Sequence, residues 1–213
     1  MATVTIAATF GAGGSVVGPE VARRLGLHFI DRAIPASLAD RLPSAPDTRT
    51  DLPPDERPTP GVVGQLFAQA ALSGSIFGYA LPGDPDPDGE VARGETLMRQ
   101  MADGEGAVIL GRGGVFVLAG RPDVLHVRLD GPLDARVAQA MRIEAVDAAK
   151  AKEHCRSLDR ARAEYLKTFY PGRRWDDPAH YHLVLDSTAI SLEGCVAIVV
   201  AAAQARLGIK PRR

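Results

Sequence analysis

The segment Ala8-Thr9-Phe10-Gly11-Ala12-Gly13-Gly14-Ser15 constrains this chain more than any other. It follows Val4-Thr5-Ile6-Ala7-Ala8, a run short and apolar enough for a buried strand. It precedes Val17, Val21, Ala22 and Leu25, which recur at helical spacing. Strand, glycine-rich turn and helix in that order gather backbone N–H groups at a helix N-terminus. There an anion is held by amides and by the positive end of the helix dipole. Gly26 ends the helix and Phe29-Ile30-Asp31 opens a second strand, a β-α-β start that implies a parallel sheet.

Prolines at 43, 46, 53, 54, 58 and 60, and a second cluster from Pro82 to Gly89, mark loops on either side of a helical stretch, 62–79. Residues 33–92 therefore read as an insertion hanging from the sheet. The core resumes with a helix around Glu95 to Met101. Three further strand candidates follow: Ala107-Val108-Ile109-Leu110, Val124 to Leu129, and Leu183-Val184-Leu185. Five strands alternating with helices predict a three-layer α/β fold with a five-stranded parallel sheet. From Pro132 to Tyr170 the chain is continuously helix-favouring and is its most basic part, with Arg136, Arg142, Arg156, Arg160, Arg162 and Lys167 interleaved with acids. A last, mostly apolar helix is expected over 192–207. At 213 residues and 46% hydrophobic content, the chain suits one domain, 1–213, carrying the insertion 33–92 and a basic helical region 132–174.

Charge narrows the partners. With 25 basic against 26 acidic residues there is no overall field to draw the protein onto nucleic acid or an anionic membrane, so an anion must be held by local clusters. No stretch approaches the roughly 20 apolar residues that span a bilayer, and the first residues lack a signal-like pattern, so a soluble cytoplasmic protein is expected. The two cysteines, Cys155 and Cys195, and the five histidines show no metal-ligand spacing.

Set against G-x-x-x-x-G-K-[ST], Gly11 and Gly13 keep the glycine character and Ser15 keeps the hydroxyl that meets magnesium. Ala8 replaces the first glycine and Gly14 replaces the lysine. A charge about 4 Å from a phosphate oxygen is worth on the order of 4 kcal/mol at an effective dielectric near 20, so the missing lysine calls for an arginine from elsewhere or a loop that binds without transfer. The same glycines also fit a dinucleotide fingerprint, with Asp31 about 20 residues on but Val16 in the third glycine position. Taken alone, the loop leaves a kinase, a dehydrogenase and a purely structural turn open.

Several separated motifs, in order, resemble the cytidylate kinase-like family of nucleoside monophosphate kinases. Gly11-Ala12-Gly13-Gly14 is similar to its lysine-less GSGG loop. Leu27-His28-Phe29-Ile30-Asp31-Arg32 resembles the end of its second strand, and Gly111-Arg112-Gly113 the Gly-Arg motif after its third. Arg156-Ser157-Leu158-Asp159-Arg160-Ala161-Arg162-Ala163 is similar to its arginine-rich lid. Trp175-Asp176-Asp177-Pro178, Tyr181-His182-Leu183 and Asp186-Ser187-Thr188 resemble its approach to, and exit from, the last strand. The resemblance implies a P-loop kinase-like fold with a helical monophosphate-binding insertion and an arginine-rich helical lid.

It also implies roles. The amides of Gly11, Ala12, Gly13, Gly14 and Ser15 would hold the phosphates of ATP, and Ser15 would meet Mg2+. Asp31, Arg32, Arg112 and Asp159 would meet the acceptor nucleotide, with CMP or dCMP the acceptor suggested. Arg112, Arg156, Arg160 and Arg162 would act as the catalytic arginines, since phosphoryl transfer needs positioning and charge neutralisation above all. Arg156 and Arg160 lie four apart and share a helical face, whereas Arg162 points elsewhere, with Asp159 orienting one of the set. Asp31 and Asp186 also suit helix caps. A nucleotide-binding module that transfers nothing stays open because of Ala8 and Gly14. An oxidoreductase is disfavoured by the absence of a Tyr-x-x-x-Lys pair. The sequence leaves monomer and homodimer equally open.

Overall fold

Five strands form as expected: β1 (Thr3–Ala8), β2 (His28–Ile30), β3 (Ala107–Leu110), β4 (Val124–Asp130) and β5 (Leu183–Asp186). In the computed structural model, which describes residues 2–30, 87–111 and 113–209, they build one parallel sheet in the order β2-β3-β1-β4-β5. β1 is central, with Val4 opposite Val108 on one side and Ala8 opposite Leu129 on the other. The chain leaves β1 for the far edge at β2, returns through β3, and only then crosses to β4. That reversal beside β1 opens a crevice at the carboxyl ends of the strands, where ligands of such sheets bind.

Alternation along β1 distributes the core. Val4, Ile6 and Ala8 join Val108, Leu110, Val127 and Leu129 beneath α1 (Gly14–Leu25) and α6 (Leu192–Leu207). The expected apolar stripe of α1, Val17, Val21, Ala22 and Leu25, is buried there in full. On the opposite face Ala107, Ile109 and Val124 pack with Met98 and Ala102 of α2 (Pro87–Asp103) and with Leu118, which follows α3 (Gly114–Val117). α4 (Leu133–Glu144) and α5 (Ala148–Phe169) share a third cluster with Phe10, so these two helices stand directly against the glycine loop.

Two expectations change. The basic stretch is two helices rather than one, because Ala145 turns left-handed at φ 55° and Asp147 caps α5 by accepting the Lys150 N–H at 2.8 Å. Neither glycine nor proline marks that break; a local carboxylate cap makes it. In addition, α2 begins at Pro87 rather than near Glu95, since proline is tolerated in the first turn of a helix. The expected helix over 62–79, with Asp31, Arg32 and Arg112, lies outside the described residues.

Candidate functional site

The loop between β1 and α1 is held from behind, one carbonyl at a time. Arg136 Nη1 donates to the Phe10 carbonyl at 2.8 Å, Gln139 Nε2 to that of Gly11 at 2.9 Å, and Ser187 Oγ to that of Ala12 at 2.8 Å. The donors come from two different parts of the chain, α4 and the turn after β5. The turn closes on itself through the Ala12 N–H to the Thr9 carbonyl, at 3.1 Å. Gly11 and Gly13 sit at φ 77° and 73°, a conformation that side chains resist. Space forbids a side chain as well: a Cβ on Gly11 would lie 2.5 Å from the Arg136 carbonyl oxygen, and one on Gly13 2.5 Å from Leu192 Cδ2. Gly13 precedes the first turn of α1, so the N–H groups of Gly14 and Ser15 have no intrahelical carbonyl to reach. Gly11, Ala12, Gly13 and Gly14 are buried and Ser15 is half-buried.

Under the loop runs a chain of alternating charge. Arg128 Nη2 pairs with Asp130 Oδ2 at 2.6 Å; Asp130 Oδ1 lies 3.9 Å from Arg136 Nε; Arg136 Nη1 pairs with Asp159 Oδ2 at 2.7 Å; Asp159 Oδ1 meets Arg162 Nη1 at 3.2 Å. Three guanidinium groups thus alternate with two carboxylates beneath the glycine turn. The two carboxylates respond differently. Burial pushes Asp130 up, but the Gly131 N–H and the Arg128 guanidinium outweigh it and hold the carboxyl below its usual range. At Asp159 burial wins over the Phe10 N–H and Arg136, and the carboxyl is held above its usual range. Asp130 also accepts Thr9 Oγ1 at 2.8 Å, tying the end of β4 to the start of the loop.

α5 therefore presents two sets of arginines. Arg162 is directed inward onto Asp159, whereas Arg156 and Arg160 are exposed on a shared face with no ion pair to a described residue. Asp159 has both oxygens committed, to the Phe10 N–H, Arg136 and Arg162, on the rear of the loop.

A second cluster closes the flank. Arg128 stacks over Trp175 at 4.4 Å from the ring centre and donates to the Trp175 carbonyl at 2.9 Å, which also accepts the Tyr181 hydroxyl at 2.5 Å. Tyr170, just past α5, lays its ring on Gly113, where a Cβ would lie 2.6 Å from Cε2. Burial drives its phenol well above the usual tyrosine range, and Tyr165 and Glu95 add to the shift. Gly113 is thereby flanked by the end of α5. Asp186 accepts the N–H groups of Thr188 and Ala189 in a local turn and caps no helix, contrary to expectation; the cap of α6 is Ser191, which accepts the Gly194 N–H.

Sequence reasoning overlooked Asp130, Gln139 and the loop-facing role of Arg136. One signal was available: Pro132 starts a helix, which places Arg136 and Gln139 three apart on one face in its first two turns. Both cysteines are buried, and no disulfide joins them. Among the described residues no cluster of three His, Cys, Asp or Glu side chains suits a metal ion, and no helix is long and apolar enough to cross a membrane.

Residues 3–189 match the sequence model of the cytidylate kinase-like family. Among solved structures, an uncharacterized protein from Eubacterium ventriosum ATCC 27560 aligns over 97% of this chain and 100% of its own, with a TM-score of 0.67 and 17% identity. A gluconokinase from Sinorhizobium meliloti 1021 aligns over 97% and 91% at TM-score 0.46 and 16% identity. A shikimate kinase from Bacteroides thetaiotaomicron aligns over 98% and 99% at TM-score 0.45 and 14% identity. The first of these, at TM-score 0.67 and 17% identity, shows a shared fold and nothing finer. A uronate isomerase from Corynebacterium glutamicum is 33% identical over 114 residues, 52% of this chain and 21% of that protein, so the chain spans about a fifth of the length of this curated relative.

Proposed function

Because this chain belongs to the cytidylate kinase-like family, we propose that it transfers the γ-phosphoryl group of ATP to a nucleoside monophosphate, with CMP or dCMP as the acceptor. The observation that carries this reading is the clamped loop. The carbonyls of Phe10, Gly11 and Ala12 are each held by a side chain behind the loop, which turns the N–H groups of Gly11 and Gly13 the other way, and Arg156 and Arg160 stand exposed on the adjoining helix. A site built of amides and arginines suits a reaction that needs orientation and charge neutralisation rather than a covalent catalyst.

In this reading the amides of Gly11, Gly13, Gly14 and Ser15 hold the donor phosphates, and Ala12 shapes the turn. Arg156 and Arg160 close over the transferring group, with Arg162 set by Asp159. Arg112, with Asp31 and Arg32, meets the acceptor. Magnesium fits the donor set: the half-buried Ser15 hydroxyl, at the second position of α1, bonds no described residue and is left to supply one oxygen. The ion would bring bridging and charge neutralisation of the phosphates, as Mg2+ does when it arrives with a nucleotide. Gly14, in the place of the lysine, favours a second reading, a module that binds nucleotide without transferring phosphate.

Incubation with ATP, magnesium and a panel of monophosphates, with diphosphate followed by chromatography, separates the two. Formation of CDP or dCDP that collapses in Arg112→Ala supports transfer. ATP binding by calorimetry without diphosphate from any acceptor supports the binding module.

A further inference from the structure

We propose that Arg136 and Ser187 are positioning residues, each of which aims one phosphate-binding amide of the loop by gripping the carbonyl of the same peptide unit. The inference rests on the nucleotide-binding reading above. A trans peptide is planar, with its C=O and N–H pointing in opposite directions, so fixing one fixes the other. The Phe10 carbonyl and the Gly11 N–H belong to one peptide. Arg136 Nη1 draws that carbonyl towards α4 at 2.8 Å, and the Gly11 N–H therefore points the opposite way, away from α4. The Ala12 carbonyl and the Gly13 N–H form another unit, and Ser187 Oγ holds that carbonyl at 2.8 Å. The intervening peptide differs: Gln139 holds the Gly11 carbonyl, but the Ala12 N–H is occupied by the Thr9 carbonyl. The grip thus selects the amides of Gly11 and Gly13 for the ligand and keeps that of Ala12 for the turn.

Both grips are rigid. Arg136 is 8% exposed and Ser187 fully buried. Arg136 Nε donates to the Gly131 carbonyl at 3.0 Å and Nη1 also to Asp159 at 2.7 Å, so its planar fork is fixed at three points on three elements. Ser187 is anchored by its own N–H to the Asp130 carbonyl at 3.0 Å. Glycine at 11 and 13 gives the peptides freedom to flip, and the grips remove it. Amides oriented before the ligand arrives bind it without a reorganisation cost, which is how a loop without its lysine can keep a phosphate.

The test uses the full chain, labelled with nitrogen-15, titrated with ATP and magnesium while the Gly11 and Gly13 amide resonances are followed. In the wild type both move downfield. Arg136→Lys keeps the charge and loses the fork; it suppresses the Gly11 response, leaves that of Gly13, and weakens ATP at least about tenfold, equal to about 1.4 kcal/mol. Ser187→Ala, a small deletion that spares the fold should Arg136→Lys not, does the reverse: the Gly13 response is lost and that of Gly11 stays. Equal loss at both glycines in either variant, or wild-type amides indifferent to ATP, overturns the proposal. Diphosphate formation is assayed on the same samples. A wild type whose two amides respond selectively but which forms no diphosphate upholds this inference and overturns the kinase reading.

Discussion

The carboxylate of Asp159, midway along α5, accepts the N–H of Phe10 at 2.9 Å across 149 residues of sequence. The glycine loop and the arginine-bearing helix are consequently one mechanical unit, joined through Arg136, which pairs with the same carboxylate from α4.

Removing that carboxylate takes an acceptor from three donors at once. Asp159→Ala removes the shared acceptor of the Phe10 N–H, Arg136 and Arg162 in a largely buried site, and breaking a buried pair in this way costs about 3 kcal/mol. Asp159→Asn keeps an acceptor oxygen and loses less. Urea denaturation of both variants checks the order; equal stability of Asp159→Ala and wild type contradicts the link.

The arginines of α5 separate by partner. Arg156→Ala and Arg160→Ala, exposed and unpaired among the described residues, should shift stability by no more than about 0.5 kcal/mol. Each should nonetheless lower kcat at least about tenfold if they serve the transferring group. Arg162→Ala should cost stability as well, because it releases Asp159. Melting curves and steady-state kinetics on the three variants decide it. Kinetics unchanged in Arg156→Ala and Arg160→Ala would make them ordinary solvated side chains.

Much of this was legible in the sequence. The strand and helix periodicities located all five strands, because buried parallel strands are short continuous apolar runs, and the glycines marked the loop because its left-handed turns demand them. The helical spacing of Arg156, Arg160 and Arg162 foretold two directions, and the structure has them. What the sequence hid is whatever depends on distant partners. Arg136 reads as one basic residue among several until α4 is set against Phe10. The break at Ala145 was hidden because a left-handed alanine has no sequence signature.

The glycines of the loop should tolerate nothing larger. Gly11→Ala places a Cβ 2.5 Å from the Arg136 carbonyl oxygen, a backbone atom that cannot step aside, on a residue already at φ 77°. A loss of at least about 2 kcal/mol and of ATP binding is expected, the sum of left-handed strain and overpacking. Gly172→Ala is the control. Its φ is 78° but nothing lies within 4 Å of the new Cβ, so only strain of about 1 kcal/mol applies. Similar losses in the two variants, measured by urea midpoint, would show that contact with Arg136 contributes nothing.

The response to acid should come in part from His126, buried in the sheet, and the His182 ring beside it. His126 on β4 is 4% exposed, its Nδ1 lies 2.7 Å from Thr5 Oγ1, and its ring stacks on that of His182 at 5.1 Å between centres. Its backbone N–H donates to His182 Nδ1 at 2.9 Å, which requires that nitrogen unprotonated. Burial, and then the neighbouring His182, lower the His126 pKa from 6.5 to about 4. The unfolded chain therefore binds a proton between those values that the folded chain refuses. The stabilising difference is present in full above pH 6.5 and is lost as pH falls through the window towards 4, by about 1–2 kcal/mol after allowing for solvent. Urea midpoints at pH 7 and pH 5 for wild type and His126→Gln isolate this group from the acids, which titrate in both proteins. The wild-type midpoint should fall further than that of the variant. An equal fall in both means that the acid sensitivity arises elsewhere.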